Sequence, residues 1–185
     1  MNNTKVIAEH SVDLDLLPEK AVILDAGCRG FEFTDYFERK GHVVFSVDVD
    51  ELVGRNYIQM AISDQDGKCG INKSADPQAT HITEGSDMNK ITLKTLAERL
   101  KIKRWDLIKL DIEGEEYNIL NNEENHPIAS QVSVEFHAHC RLEQTKQALD
   151  KLLDKLSEFY FIKNRNWETR HGAGFNYWDV LLIAK

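Results

Sequence analysis

The sequence predicts an α/β protein with a doubly wound, mostly parallel sheet. Val22, Ile23 and Leu24 form an apolar run bounded by charged residues, which is typical of a parallel strand covered on both faces. Gly27 and Gly30 follow directly and give the chain the freedom to turn sharply. Strands and helices then alternate along the chain, and such sheets bind their ligands beyond the carboxyl ends of the strands.

The other elements follow from the spacing of apolar residues. We expect helices at 31–40, 92–100 and 142–156, a short helix from Tyr117, and strands at 43–48, 57–62, 105–111, 131–136, 159–162 and 177–184. Residues 4–17 are expected to form a short helix or turn on the sheet edge. Residues 67–90 show no periodicity and are predicted to be a flap, and 163–176 a polar loop.

Length and composition describe one globular unit with a negative charge. The chain has 185 residues, 42% of them hydrophobic, and a net charge of −8 at pH 7. This charge argues against nucleic acid or an anionic membrane as a partner, because binding phosphate requires clustered Lys and Arg. Three cysteines without framework spacing, and the lack of a leader or membrane-spanning run, predict a cytoplasmic protein.

Polar residues follow each predicted strand of the parallel sheet. They are Asp25 to Gly30, Asp48, Ser63-Asp64, Asp111 to Glu116 and Glu135 to His139. Because parallel strands end at the same edge of a sheet, we expect these loops to converge on one crevice.

Asp48 is the candidate ligand for a ribose. It lies 23 positions after Asp25, about the interval at which the second strand of a dinucleotide-type fold presents a carboxylate to a ribose diol. An ionised carboxylate accepts strong hydrogen bonds from two vicinal hydroxyls. The turn has two glycines where a nicotinamide fingerprint has three, so a nicotinamide-dependent oxidoreductase stays only as an alternative. Asp25-x-Gly27 resembles the opening motif of S-adenosylmethionine-dependent methyltransferases.

The segment after the fourth strand of this sheet is similar to the hallmark of the FkbM-type methyltransferase family. That pattern, Lys-x-Asp-x-Glu-Gly-x-Glu, is met by Lys109, Asp111, Glu113, Gly114 and Glu116. The resemblance continues over about residues 21–185 and implies a Rossmann-like class I methyltransferase sheet. That sheet has seven strands, mostly parallel with an antiparallel last strand, and helices on both faces. We therefore divide the chain into an N-terminal cap segment, 1–20, and a methyltransferase domain, 21–185.

The resemblance also implies a cofactor, a reaction and a cofactor site. The cofactor is S-adenosyl-L-methionine, and the reaction is methylation of a hydroxyl oxygen on a small molecule or saccharide. The residues implied are Asp25, Gly27, Cys28, Arg29 and Gly30 for the methionine part, Asp48 for the ribose, Ile62, Ser63 and Asp64 near adenine, and Asp111 beside the sulfonium. Gly30 falls one position earlier than is usual in the family and Arg29 replaces a common asparagine, so a non-catalytic cofactor-binding module stays an alternative.

His137 is the predicted general base, with Asp111 and Glu135 as its catalytic partners. A neutral imidazole with a pKa of about 6.5 suits the removal of a hydroxyl proton, and predicts a rate that rises near pH 6–7. His139 is the nearest competitor for this role.

We expect no metal ion. Nevertheless Asp111, Glu135, His137, His139 and Cys140 offer oxygen, imidazole and thiol ligands, so metal assistance stays open. The sequence also leaves open whether the protein forms a homodimer.

Overall fold

The computed structural model describes residues 3–53, 57–73, 80–122, 126–137, 145–169 and 176–185, with only the backbone for 164–169 and 176. Its strands are β1 Thr4–Ile7, β2 His10–Asp13, β3 Val22–Ala26, β4 Val43–Asp48, β5 Ile58–Gln59, β6 Ala61–Ile62, β7 Gly67–Asn72, β8 His81–Ile91, β9 Trp105–Leu110, β10 Ala129–His137, β11 Tyr160–Thr169 and β12 Asn176–Ala184. Its α-helices are α1 Glu32–Glu38, α2 Leu93–Leu100, α3 Glu116–Asn121 and α4 Lys146–Leu156.

The main sheet has seven strands in the order β5-β4-β3-β9-β10-β12-β11. The pairs from β5 to β10 are parallel, whereas β12 runs antiparallel to both of its neighbours. The predicted fold class, a mostly parallel seven-stranded sheet with an antiparallel last strand, is confirmed.

Helices cover both faces of this sheet, as predicted. Ile23 of β3 points to one face, where it packs in a buried cluster with Phe33 and Phe37 of α1. Leu24 points to the other face, into the large core that receives the apolar sides of α2, α3 and α4. This double burial explains the unbroken apolar run of β3. No helix among the described residues is long and apolar enough to cross a lipid bilayer.

The N-terminal segment is a β-hairpin, so the prediction of a helix or turn on the sheet edge is wrong. β1 and β2 pair antiparallel through a turn at Ala8 and Glu9, both in the left-handed region. The hairpin packs on the sheet face, where Gln131 of β10 fixes it. Its Oε1 accepts from the Asp13 N–H and its Nε2 donates to the Asp13 carbonyl, both at 3.0 Å.

Residues 67–90 also differ from the prediction of a flap. β7 and β8 pair antiparallel, and β6 pairs parallel with β8, which gives a separate three-stranded sheet. Residues 83–87 are exposed, and exposure removes the hydrophobic alternation by which a strand is recognised. The predicted strand at 57–62 is split between the two sheets, and β11 extends to Thr169 into the predicted polar loop.

Candidate active site

A cavity of about 730 Å³ lies at the carboxyl ends of β3, β4, β9 and β10. Most of the predicted site residues line it: Asp25, Gly27, Cys28, Arg29, Gly30, Asp48, Asp111, Glu135 and His137. The structure therefore brings together side chains from four loops.

Gly27 places the loop after β3 against the end of β9. Its φ is +80°, and a Cβ at this position would lie 1.7 Å from the carbonyl oxygen of Asp111. Its N–H donates to the carbonyl of Val47 at 2.9 Å. A side chain is therefore excluded here by both backbone conformation and space.

Lys109 is a buried cation beneath the cavity and is only 4% exposed. Its Nζ donates to the Gly27 carbonyl at 2.7 Å and lies 3.2 Å from both Asp25 Oδ1 and Asp111 Oδ2. Burial alone would lower the pKa of Lys109, but the carboxylates of Asp111 and Asp25 outweigh it and raise that pKa. Lys109 thus links the β3 loop to the end of β9 as an ammonium ion.

Asp48 faces the cavity at the end of β4 and is 8% exposed. Burial raises the pKa of its carboxyl group, an effect partly offset by the hydrogen bond from the Asp50 N–H to Oδ1 at 2.9 Å. The carboxylate is held in a fixed direction, as recognition of a diol requires.

Asp111 lies between two histidines. Its Oδ2 is 3.5 Å from His10 Nε2, and its Oδ1 is 3.6 Å from His137 Nε2. Burial alone would raise the pKa of Asp111, but Lys109 and the hydrogen bond from His10 lower it well below its usual value. Asp111 is therefore an anion in the lining of the cavity.

The surroundings of His137 do not fit a neutral base. Burial alone would lower its pKa, but the Glu116 carboxylate, aided by Glu135 and Glu113, raises the pKa well above the ordinary value. This corrects the premise of an imidazole that titrates near pH 6–7. The base role itself stays a prediction.

Glu116 positions the ring of His137 from the start of α3. The side chain is completely buried, and its Oε1 lies 3.1 Å from His137 Nδ1. Its two oxygens also accept from the N–H groups of Ile112 and Gly114, both at 2.9 Å. Glu116 thereby fixes both the loop after β9 and the direction in which His137 Nε2 points.

Two predicted cofactor residues do not line the cavity. Ser63 and Asp64 are not among the described residues that line the cavity, and the Ser63 hydroxyl donates to Glu115 at 2.8 Å. Burial raises the pKa of the Cys28 thiol, so this residue is an uncharged wall of the cavity. His139 and Cys140 lie outside the described residues.

Sequence reasoning missed His10 as a site residue. It is 1% exposed and reaches Asp111 from the N-terminal hairpin. No local signal marks it, because Val12 is the one apolar residue among residues 10–13.

Comparisons with known proteins complete this description. No curated protein sequence matches the chain. Among solved structures, M. capricolum TrmK in complex with S-adenosyl-homocysteine has a TM-score of 0.47 and 14% identity. That match covers 92% of this chain and 65% of the TrmK chain, so this chain spans less than two thirds of that neighbour's length.

Two further solved structures are similar. A TehB-like SAM-dependent methyltransferase from Corynebacterium glutamicum has a TM-score of 0.44 and 16% identity, covering 92% of this chain and 84% of that one. Magnesium protoporphyrin IX methyltransferase from Synechocystis PCC 6803 with bound SAM has a TM-score of 0.47 and 13% identity, covering 92% and 72%.

A protein-family model, the methyltransferase FkbM domain, matches residues 20–167. This range contains β3, β4, β9 and β10 and therefore all the strands whose ends form the cavity. The chain belongs to the FkbM methyltransferase domain family.

Proposed function

We propose that the protein uses S-adenosyl-L-methionine to methylate a hydroxyl oxygen on a small molecule or saccharide. The observation that carries this proposal is one cavity in which the Gly27 loop, Asp48 and Asp111 meet at neighbouring strand ends. Membership of the methyltransferase family supplies the reaction class.

The cavity suits the charge of this cofactor. Asp48 and Asp111 both line it, and Asp111 is held as an anion by Lys109. The cofactor carries a sulfonium and an α-ammonium group, and anionic walls stabilise both. We assign the ribose to Asp48, the methionine part to the backbone around Gly27, and the sulfonium to the neighbourhood of Asp111.

The part of the cavity beyond Asp111 suits a hydroxylated acceptor. Glu113 and Glu135 line it beside His137, and carboxylates accept hydrogen bonds from hydroxyl groups. An anionic acceptor would be repelled by the same residues.

The reaction itself is an in-line displacement. The acceptor oxygen forms a bond to the methyl carbon as the carbon–sulfur bond breaks. The electron pair of that bond goes to sulfur, which gives S-adenosylhomocysteine. The hydroxyl proton leaves to a neighbouring base in the same step, and His137 and Glu135 line the cavity at this end.

Changing Asp48 to alanine is expected to weaken cofactor binding at least about tenfold. The substitution removes the acceptor of the ribose hydroxyls, and hydrogen bonds to a charged group contribute roughly 1.5–3 kcal/mol each. Isothermal titration calorimetry with S-adenosylmethionine measures the effect, with the exposed Asp150→Ala as a matched control. Unchanged affinity in a folded Asp48→Ala protein would remove Asp48 from the site.

Changing Asp111 to asparagine is expected to lower turnover by about 10²-fold or more. The change keeps the shape but removes the charge beside the sulfonium, and loss of one preorganised polar group at a reacting centre typically costs that much. Formation of S-adenosylhomocysteine with a panel of polyols and saccharides measures turnover. Lys109 keeps Asp25 and the Gly27 carbonyl as partners, so the melting temperature should fall much less.

Three results would contradict the proposal or one of its residue assignments. If the melting temperature of Asp111→Asn collapses in step with activity, Asp111 is structural. Binding of the cofactor without turnover on any member of the panel favours the non-catalytic module, and binding of a nicotinamide cofactor in its place favours the oxidoreductase.

A further inference from the structure

We propose that Asp111, Glu113, Glu135 and His137 bind one divalent cation of the Mn²⁺ type at the acceptor end of the cavity. The cation site stands on its own geometry, whereas its role toward the acceptor rests on the proposed function.

Three carboxylates surround Nε2 of His137. His137 Nε2 lies 3.6 Å from Asp111 Oδ1, 3.6 Å from Glu113 Oε2 and 3.3 Å from Glu135 Oε1. Ligands about 2.1 Å from a metal ion are roughly 3.0 Å apart when adjacent and 4.2 Å apart when opposite. Ligand atoms of Asp111, Glu113 and His137 all lie within 4.8 Å of one another, which is close to the spacing that one ion requires.

The orientation of the His137 ring supports the same site. Its side chain is more than nine-tenths buried, and Glu116 fixes Nδ1 at 3.1 Å. Glu116 is itself fixed by the two backbone N–H groups of the loop after β9. Metal-binding histidines in proteins typically donate one ring N–H to a carboxylate, which directs the other nitrogen at the metal. Here that other nitrogen is Nε2, directed at three carboxylates.

His10 extends the cluster from the opposite side. It is buried, and its Nε2 faces Asp111 Oδ2 at 3.5 Å. Ligand atoms of His10, Asp111 and Glu135 also lie within 4.8 Å of one another. The N-terminal hairpin therefore covers the proposed site and can supply a second imidazole.

The donor set selects the type of cation. Mg²⁺ and Ca²⁺ prefer oxygen ligands only, whereas first-row transition ions accept imidazole together with carboxylates. One or two imidazoles with three carboxylates favour a cation such as Mn²⁺ over Mg²⁺.

A cation here would act on the acceptor. It would lie beside Asp111, where the proposed function puts the methyl group, and a divalent ion lowers the pKa of an oxygen that it binds. This narrows the acceptor to a hydroxyl compound whose oxygen can bind a metal ion, of which a vicinal diol is the simplest class.

The test is direct binding of Mn²⁺ to the chelator-treated protein, measured by electron paramagnetic resonance of the free ion. We expect one Mn²⁺ per chain, bound more tightly than Mg²⁺. Glu135→Gln and His137→Asn should each weaken Mn²⁺ binding at least about tenfold. The exposed Asp150→Asn on α4 is the matched control and should bind as the wild type does.

A crossed comparison separates this inference from the proposed function. Asp48→Ala should lose cofactor affinity and keep Mn²⁺ binding. Glu135→Gln should lose Mn²⁺ binding and keep cofactor affinity. If the wild type binds no Mn²⁺, or folded Glu135→Gln and Glu113→Gln proteins bind it unchanged, the cation site is wrong. If Mn²⁺ binds as expected but S-adenosylmethionine does not, the proposed function fails and the cation site stands.

Discussion

Replacement of Lys109 by methionine is expected to destabilise the protein by about 3–5 kcal/mol. The ammonium lies 3.2 Å from the carboxylates of both Asp25 and Asp111. Methionine has a similar length but no charge, so it would leave Asp25 buried without its counter-ion and the Gly27 carbonyl without its donor. A buried charge that loses its partner lowers the free energy of unfolding more than a broken ion pair on the surface does. Urea unfolding at pH 7, followed by circular dichroism, measures the change.

Lys146→Met is the matched control for this prediction. Lys146 also pairs with an aspartate, Asp150, but its side chain is 61% exposed. Exposed pairs contribute little, so we expect a change below about 1 kcal/mol. Adding Asp25→Asn to Lys109→Met should recover part of the lost stability, because it removes one of the uncompensated charges. A Lys109→Met protein as stable as the Lys146→Met control would show that the buried ion pair does not hold the loop.

The main sheet could be predicted because strands that are buried on both faces have apolar runs in the sequence. Leu24 and Ile108 lie in apolar runs and pack into the same core. The β7–β8 strands could not be predicted in this way, since residues 83–87 are exposed and carry no apolar face. Hydrophobic spacing indicates burial, so it cannot predict a strand that is exposed.

The meeting of Asp48, Asp111 and His137 in one cavity could be predicted because parallel strands end at one edge of the sheet. The position of Ser63 could not. It follows β6, whose residues Ala61 and Ile62 line the cavity, but its own hydroxyl donates to Glu115. A hydrogen bond to a residue 52 positions away, which local sequence does not show, therefore decides where this side chain lies.

The protonation of His137 and the place of His10 depend on contacts between distant parts of the chain. Glu116 reaches His137 from the start of α3, and His10 arrives with a hairpin that Gln131 fixes across 118 positions of sequence. A reference pKa describes an isolated imidazole, and neither contact is visible in local sequence. Local patterns therefore locate the cavity, whereas the electrostatics inside it require the three-dimensional structure.

Substitution of Gly27 by alanine is expected to destabilise the protein by roughly 2–5 kcal/mol and to weaken S-adenosylmethionine binding more than any other single change at the β3 loop. The left-handed backbone costs an alanine about 1–2 kcal/mol, and forcing an atom into filled space adds about 1–3 kcal/mol. The obstacle is the Asp111 carbonyl oxygen, 1.7 Å from the new Cβ, and it is part of the backbone. It cannot move without moving the end of β9.

Gly41→Ala separates the cost of the left-handed backbone from the cost of the filled space. Gly41 has a similar φ of +88°, but a Cβ there would meet nothing within 4 Å. This control should therefore show the backbone cost alone, about 1–2 kcal/mol, with cofactor affinity unchanged. Urea unfolding and calorimetric titration of both variants measure the difference. If Gly27→Ala loses no more stability than Gly41→Ala and binds the cofactor as the wild type does, the close approach between the β3 loop and Asp111 is not what shapes the site.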